Sequence, residues 1–316
     1  MLHVTNGESV SIRDKGLPGR VLCWKDVLSE GPVPRGLPLR ELSRVRERFI
    51  VESFQIPPEE VSFTERDETI ERFRDHEEVV LWFEHDLFDQ LQLIQILDWF
   101  SSQDLGTVRL ALICHDSYLG PMRAEQLAPL FETRHTVAAA EFKTARAAWA
   151  AFCSPEPLGL AALLDEDTSA LPFLRGALLR HLQQFPALRN GLARTERQIL
   201  ELVESGLRSF PELFLADQKL EECIFMGDLT FRQYLRGLAG ARQPLLRADR
   251  GAFEPTSFGL QVLHEKNDHV RVNGINRWLG GVHLCEGAPI WRWDEATRSI
   301  RPSRLPGKPP IEGQNK

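Results

Sequence analysis

The chain has 316 residues, 42% of them hydrophobic and 26% charged, and a formal net charge of −7. That length suits two packed domains, and the acidic balance argues against a surface given over wholly to nucleic acid. The five cysteines, Cys23, Cys114, Cys153, Cys223 and Cys285, are scattered with no C-x-x-C pair, which argues against a disulfide frame and a zinc site.

No apolar run reaches the roughly 18 to 20 residues of a membrane span, so no membrane partner is expected. The first residues lack the basic and apolar regions of a signal peptide, and a cytoplasmic protein is expected. Strand character starts at once with Leu2 to Thr5 and recurs at Arg20 to Trp24, Val79 to Phe83 and Val108 to Cys114. Continuous apolar runs of this kind suit strands buried on both faces, as in parallel sheets. Helical patterns lie between them at about Glu8 to Lys15, Leu39 to Phe54, Asp67 to His76 and Leu87 to Ser101. The alternation predicts an α/β domain over 1–153, an open parallel sheet with flanking helices.

An Ala-rich helix, Ala138 to Phe152, is broken by Ser154-Pro155-Glu156-Pro157, and a helical connector is expected over 154–191. The pattern then changes. Helices are expected at Thr195 to Val203, Phe210 to Leu215 and Asp228 to Leu238, then a hairpin turning at Asp249-Arg250-Gly251 and a short helix from Thr256 to Leu263. This order resembles a winged helix-turn-helix within a mostly helical domain over 192–300 that ends in a hairpin. A flexible tail is expected over 301–316.

The exits of the four strands carry the chemistry. After the first come Thr5, Asn6, Gly7 and Ser9, a glycine turn with small donors that could cradle an anion at a helix N-terminus; the alternative is a plain turn and cap. After the second come Asp26 and Glu30, suited to ribose hydroxyls or a metal, or else to capping a turn. After the third, Glu84, His85, Asp86 and Asp89, with Gln90 beside them, offer acid/base and metal-ligand chemistry. His85 and Asp89 share a helix face if the helix starts early enough, and Asp86 also reads as an N-cap. The fourth strand ends in His115 and Asp116. Near the end, Trp278, Trp291 and Trp293 read as a packed hairpin, with Arg277 and His283 as secondary site candidates.

The segments His3 to Ser9, Trp24 to Pro32 and Leu81 to Leu93 resemble those of a bacterial family catalogued as domain of unknown function 1835, over the first half of the chain. The later Arg277-Trp278-Leu279-Gly280-Gly281-Val282-His283-Leu284 extends the resemblance, which implies membership and no particular activity.

Together these features predict an enzyme, a hydrolase or group transferase, acting on a small phosphorylated or nucleotide-like substrate. Glu84, His85, Asp86, His115 and Asp116 are its candidate catalytic groups. Thr5, Asn6, Gly7, Ser9, Asp26, Glu30, Asp89, Gln90 and Arg277 are its candidate ligand-binding groups. A divalent metal would draw on Asp26, Glu84, His85 and Asp86. The rivals are a ligand-responsive DNA-binding regulator and a non-catalytic assembly module. Nucleic acid is the less favoured partner, because residues 194–255 carry nine Lys and Arg against ten Asp and Glu and so lack the usual attraction to phosphate.

Overall fold

The computed structural model describes residues 1–7 and 16–303. The helix expected from Glu8 to Lys15, and Ser9 with it, lies outside the described residues.

The chain begins with β1 (Leu2–Thr5), β2 (Arg20–Cys23) and β3 (Gly31–Pro32), then α1 (Leu39–Phe54) and α2 (Thr64–Glu71). Next come β4 (Glu78–Glu84), α3 (Leu87–Ser101), β5 (Arg109–His115), α4 (Ala124–Glu132), β6 (His135–Thr136) and α5 (Ala139–Phe152), and then α6 (Leu158–Ala162) and α7 (Leu174–Leu182). Five strands form one sheet in the order β2-β1-β4-β5-β6. The first four are parallel, and β6 runs antiparallel to β5. The sheet is therefore an open, largely parallel one between helices. The helix expected over Asp67 to His76 begins earlier, at Thr64, and gives way to a short 3-10 turn at Phe73–Asp75.

β4 lies at the centre, and all seven of its residues are buried. Val80 and Trp82 pack with Leu127 and Phe131 of α4, the Trp82 and Phe131 rings stacked with centroids 6.0 Å apart. α3 packs against β4, α5 and α7, so it is buried almost all the way round. Its apolar residues, Leu87 to Phe100, can bury simply by being apolar, whereas Asp89, Gln90, Gln92 and Gln95 on the same helix must find hydrogen-bond partners inside the protein.

Parallel pairing puts the carboxyl ends of β1, β2, β4 and β5 at one edge. Thr5 pairs with Cys23 on one side and Trp82 on the other, and Glu84 lies opposite His115. The chain leaves β1 toward β2 and leaves β4 toward β5, in opposite directions across the sheet. The boundary between β1 and β4 is thus a topological switch point, where open α/β sheets form a crevice beyond their carboxyl ends.

The second half contributes α8 (Arg194–Glu204), α9 (Phe210–Gln218), α10 (Asp228–Gly240), β7 (Leu246–Asp249), β8 (Ala252–Pro255), α11 (Ser257–Leu263) and α12 (His269–Asn273). After these come β9 (Asn276–Gly280), β10 (Val282–Cys285), β11 (Ile290–Asp294) and β12 (Ser299–Ser303). β7 and β8 form an antiparallel hairpin, and an antiparallel bridge joins Ser209 to Ala252. The Thr256 side chain caps α11 by accepting from Gly259 N at 2.9 Å.

By contact the chain divides into two compact units. The first is Met1–Leu182 with Gln218–Gln233 and Trp278–His283; the second is Gln183–Asp217, Tyr234–Arg277 and the residues from Leu284 onward. The expected connector is shared between them. The hairpin expected around Trp278 is also rearranged: β9 pairs in parallel with β3, Leu279 opposite Gly31, and the tryptophans at 291 and 293 belong to a separate hairpin, β11 with β12. Just after β9, glycine lets the chain run close to the end of α5, since a Cβ on Gly281 would sit 2.0 Å from the Cys153 carbonyl oxygen. Arg301, Pro302 and Ser303, expected to begin a flexible tail, are the end of β12, where pairing with β11 supplies the order that composition alone would not.

Candidate functional site

Glu84 ends β4, Asp86 precedes α3 and Asp89 lies in its first turn. One carboxylate oxygen from each falls within 4.8 Å of the others, and all three residues are buried. Asp86 is the N-cap that its position suggested: its Oδ1 accepts from Phe88 N at 2.8 Å and Asp89 N at 3.2 Å. Asp89 Oδ1 accepts from Glu84 N at 2.8 Å, and its Oδ2 accepts from the Asn6 side-chain amide. Glu84 Oε1 accepts from Leu119 N at 2.6 Å. The cap residue is therefore also a member of the cluster, and each of the three carboxylates accepts from at least one main-chain N–H.

Among the described residues none of the three forms an ion pair with Lys or Arg. Burial pushes all three carboxyl groups up, Asp86 to about 7, and the crowding of like charge adds to the rise of the two aspartates. Three charges this close in a low-dielectric setting call either for shared protons or for a cation.

The other groups expected at this edge have varied positions. His85 precedes α3, so the helix-face relation to Asp89 does not arise. Its half-buried ring lies 5.0 Å from that of Tyr118 and 6.0 Å from that of Phe173, and its Nδ1 is buried with no hydrogen-bond partner. Burial lowers its pKa and favours the neutral imidazole. His115 stands beside Glu84 on β5 and takes Ser117 N on its Nδ1 at 3.0 Å, while Asp116 points to solvent at 75% side-chain exposure. Gln90 donates to the Glu84 carbonyl at 2.7 Å and to Cys114 Sγ at 3.3 Å.

Of the expected anion cradle, Thr5 and Asn6 already have partners within the protein. Thr5 Oγ1 donates to Gly7 O at 2.9 Å, and both ends of the Asn6 amide are engaged, donating to Asp89 and accepting from Gln92 at 3.0 Å. An anion approaching Asn6 would face carboxylates, so it would need a cation between. Asp26 is spent on Arg46, a fully buried pair at 2.9 Å, and the Arg46 guanidinium also donates to the carbonyls of Val27 and Glu30, each at 2.7 Å. This wraps the 26–32 loop around one cation and pairs the Asp26 carboxylate with it. Arg277 belongs to the second unit, where it donates to the hydroxyl of Tyr234.

Three residues at the site were not anticipated. Gln92 holds Asn6, and its polarity inside Leu91-Gln92-Leu93 is a sequence signal that could have found it. Tyr118 donates from its hydroxyl to Ile224 O at 2.9 Å, which brings the segment after α9 toward the site. Cys223 there feels the Asp86 carboxylate, although burial is the larger cause of its raised pKa. Nothing local in the sequence marks the last two.

The second unit has a cavity of about 420 Å³ lined by Phe185, Leu192, Trp293 and several arginines. Those arginines are already engaged, Arg189 with Glu265 at 3.0 Å, Arg194 with Gln183 at 2.8 Å and Arg197 with Glu201 at 3.7 Å. Each of these arginines thus already has a partner on the cavity wall or beside it.

Fold and site together define an open-sheet α/β protein with a buried tricarboxylate cluster at its switch point. No family model matches this chain, and no curated protein matches it.

Proposed function

We propose that the protein is a divalent-cation-dependent enzyme, a hydrolase or group transferase, acting on a small phosphorylated or nucleotide-like substrate in the cytoplasm. Membership in the 1835 family, on the motifs quoted above, is part of the reading. The observation that carries it is the convergence of Glu84, Asp86 and Asp89 within 4.8 Å, buried, at the carboxyl edge of a parallel sheet. Carboxylates so placed suit a hard cation such as Mg²⁺ or Mn²⁺, which would offset their charge and draw a phosphate oxygen to a site otherwise hostile to anions. The neutral imidazole of His85 is suited to accept a proton from an attacking water.

The test is calorimetric titration of metal-free protein with Mn²⁺ and Mg²⁺, followed by phosphate release from a panel of nucleotides and sugar phosphates. The reading expects cation binding that Asp86→Asn and Asp89→Asn each weaken, and cation-dependent turnover. Failure of the wild type to bind either ion would overturn it.

A second reading, a DNA-binding regulator, is favoured by the order α8, α9, α10, β7, β8 and by the Ser209–Ala252 bridge, which suit a winged helix. The near-neutral charge of this stretch places it second.

A further inference from the structure

We infer that Gln92 is a positioning residue that fixes which end of the Asn6 amide faces Asp89. The inference rests on Asp89 being a functional carboxylate, as proposed above. An amide can be turned end for end with little change of shape, so an amide beside a carboxylate has to be oriented by something else. Here the orientation follows from a group that cannot be turned. The Asp26 main-chain carbonyl only accepts, and the Gln92 side chain meets it at 2.7 Å, so the Gln92 group facing it is Nε2. The same Nε2 lies 3.0 Å from Asn6, so the Asn6 atom facing Gln92 is Oδ1. That leaves Nδ2 to face Asp89, where it donates to Oδ2.

Both ends of this relay are fixed. Asp26 is held by the buried Arg46, and Asp89 Oδ1 accepts from Glu84 N at 2.8 Å, so that oxygen has to be an acceptor. Gln92 itself is fully buried and its Oε1 has no partner, a cost that its orientation accepts in keeping both N–H groups engaged. The direction of donation thus runs one way from Gln92 to Asp89, by way of Asn6. It sets an N–H donor, and not an acceptor, of Asn6 against Asp89 Oδ2.

A reversal experiment tests this with substitutions that hardly change shape. In Gln92→Glu, the new carboxyl can meet the Asp26 carbonyl only as a protonated donor. That same oxygen, its one proton given to the Asp26 carbonyl, faces Asn6 as an acceptor, so the Asn6 amide turns and brings Oδ1 against Asp89. In Asp89→Asn, the Glu84 N–H keeps the new amide oxygen in place, so the new NH₂ meets the Asn6 NH₂. Each change alone opposes the relay; together they run it in reverse with every donor matched to an acceptor.

The melting temperatures of the four full-length proteins, measured without added metal, are expected to show both single variants lowered and the double variant at or above Gln92→Glu alone. Additive losses in the double variant would overturn the relay. In parallel, Gln92→Glu is expected to weaken Mn²⁺ binding by about tenfold or more, the scale of losing one hydrogen bond to a charged group. Unchanged Mn²⁺ affinity in Gln92→Glu would overturn the positioning role while leaving the cation site intact. A wild type that fails to bind Mn²⁺ but shows the expected thermal coupling would overturn the proposed function and not the relay.

Discussion

Asn6 and Asp89, 83 positions apart in the chain, are joined by a hydrogen bond from the Asn6 amide to the Asp89 carboxylate. The bond spans the gap between the loop after β1 and the first turn of α3. It brings together polar residues released by two adjacent strands whose chains then run in opposite directions, so the crevice expected of the topology is lined by groups in direct contact.

Asp86 both caps α3 and belongs to the carboxylate cluster, and the two roles can be separated. Asn caps a helix about as well as Asp, so Asp86→Asn should keep the cap while removing one buried charge. Thermal denaturation near neutral pH should show stability unchanged or increased. Mn²⁺ affinity should fall by about tenfold or more, on the scale of one charged ligand. A lowered melting temperature with unchanged affinity would reduce Asp86 to its capping role.

The cluster also predicts how stability varies with pH. Asp86 is shifted in the folded protein from an ordinary 3.8 to about 7, and Glu84 and Asp89 are shifted in the same direction. A carboxyl whose folded pKa is raised stabilises the fold below its unfolded pKa and loses that contribution as pH rises through the folded value. Metal-free protein should therefore lose stability from this source between about pH 4 and 7, on the order of a few kcal/mol across the cluster. Chemical denaturation at several pH values, with and without Mn²⁺, measures this. The ion should restore stability at the alkaline end, and Asp86→Asn should flatten the profile.

Much of this was legible in the sequence, and what was not shares a physical cause. α1 and α3 lie where the sequence places them, from Leu39 to Phe54 and Leu87 to Ser101, because a long amphipathic or apolar run between turn residues leaves few alternatives. The convergence of the strand exits follows from four parallel strands. β6 escaped notice because its two exposed residues carry no periodicity, and the β3–β9 pairing because partners some 250 positions apart leave no local trace. The Asp26–Arg46 pair left no sign in the sequence because nothing near Asp26 announces Arg46, which arrives from α1.

The Asp26–Arg46 pair has its own test. Both side chains are fully buried, so Arg46→Met would leave an uncompensated carboxylate and strip the 26–32 loop of the donors its carbonyls use. A loss of about 3 to 5 kcal/mol is expected in urea denaturation. Asp26→Asn, which keeps one acceptor oxygen for Arg46, should cost less. If Asp26→Asn instead left stability intact and abolished Mn²⁺ binding, Asp26 would return to the list of metal ligands.

DNA binding through the second-half helices is expected to be weak. Arg232 and Arg236 are exposed on α10, but Arg232 lies 3.9 Å from Asp228 on the same helix face. Fluorescence anisotropy with duplex DNA at about 0.15 M salt should show no sequence-selective binding tighter than the roughly 10⁻⁴ to 10⁻⁶ M of non-specific association. Tight selective binding reduced by Arg232→Ala or Arg236→Ala would promote the regulator.

The first unit draws on three separated stretches of chain, and this bears on how the protein can be dissected. Residues 218–233 supply the acceptor for Tyr118 and the partner of Arg180, Glu221 at 2.7 Å, while 278–283 supply the strand that pairs with β3. A fragment cut after the parallel sheet would lack both, leaving Arg180 without its carboxylate and the short β3 without a neighbour. The α/β portion is thus no interchangeable cassette. Gene fusions, truncations or domain transplants that treat residues 1–182 as self-sufficient would carry an unfinished sheet.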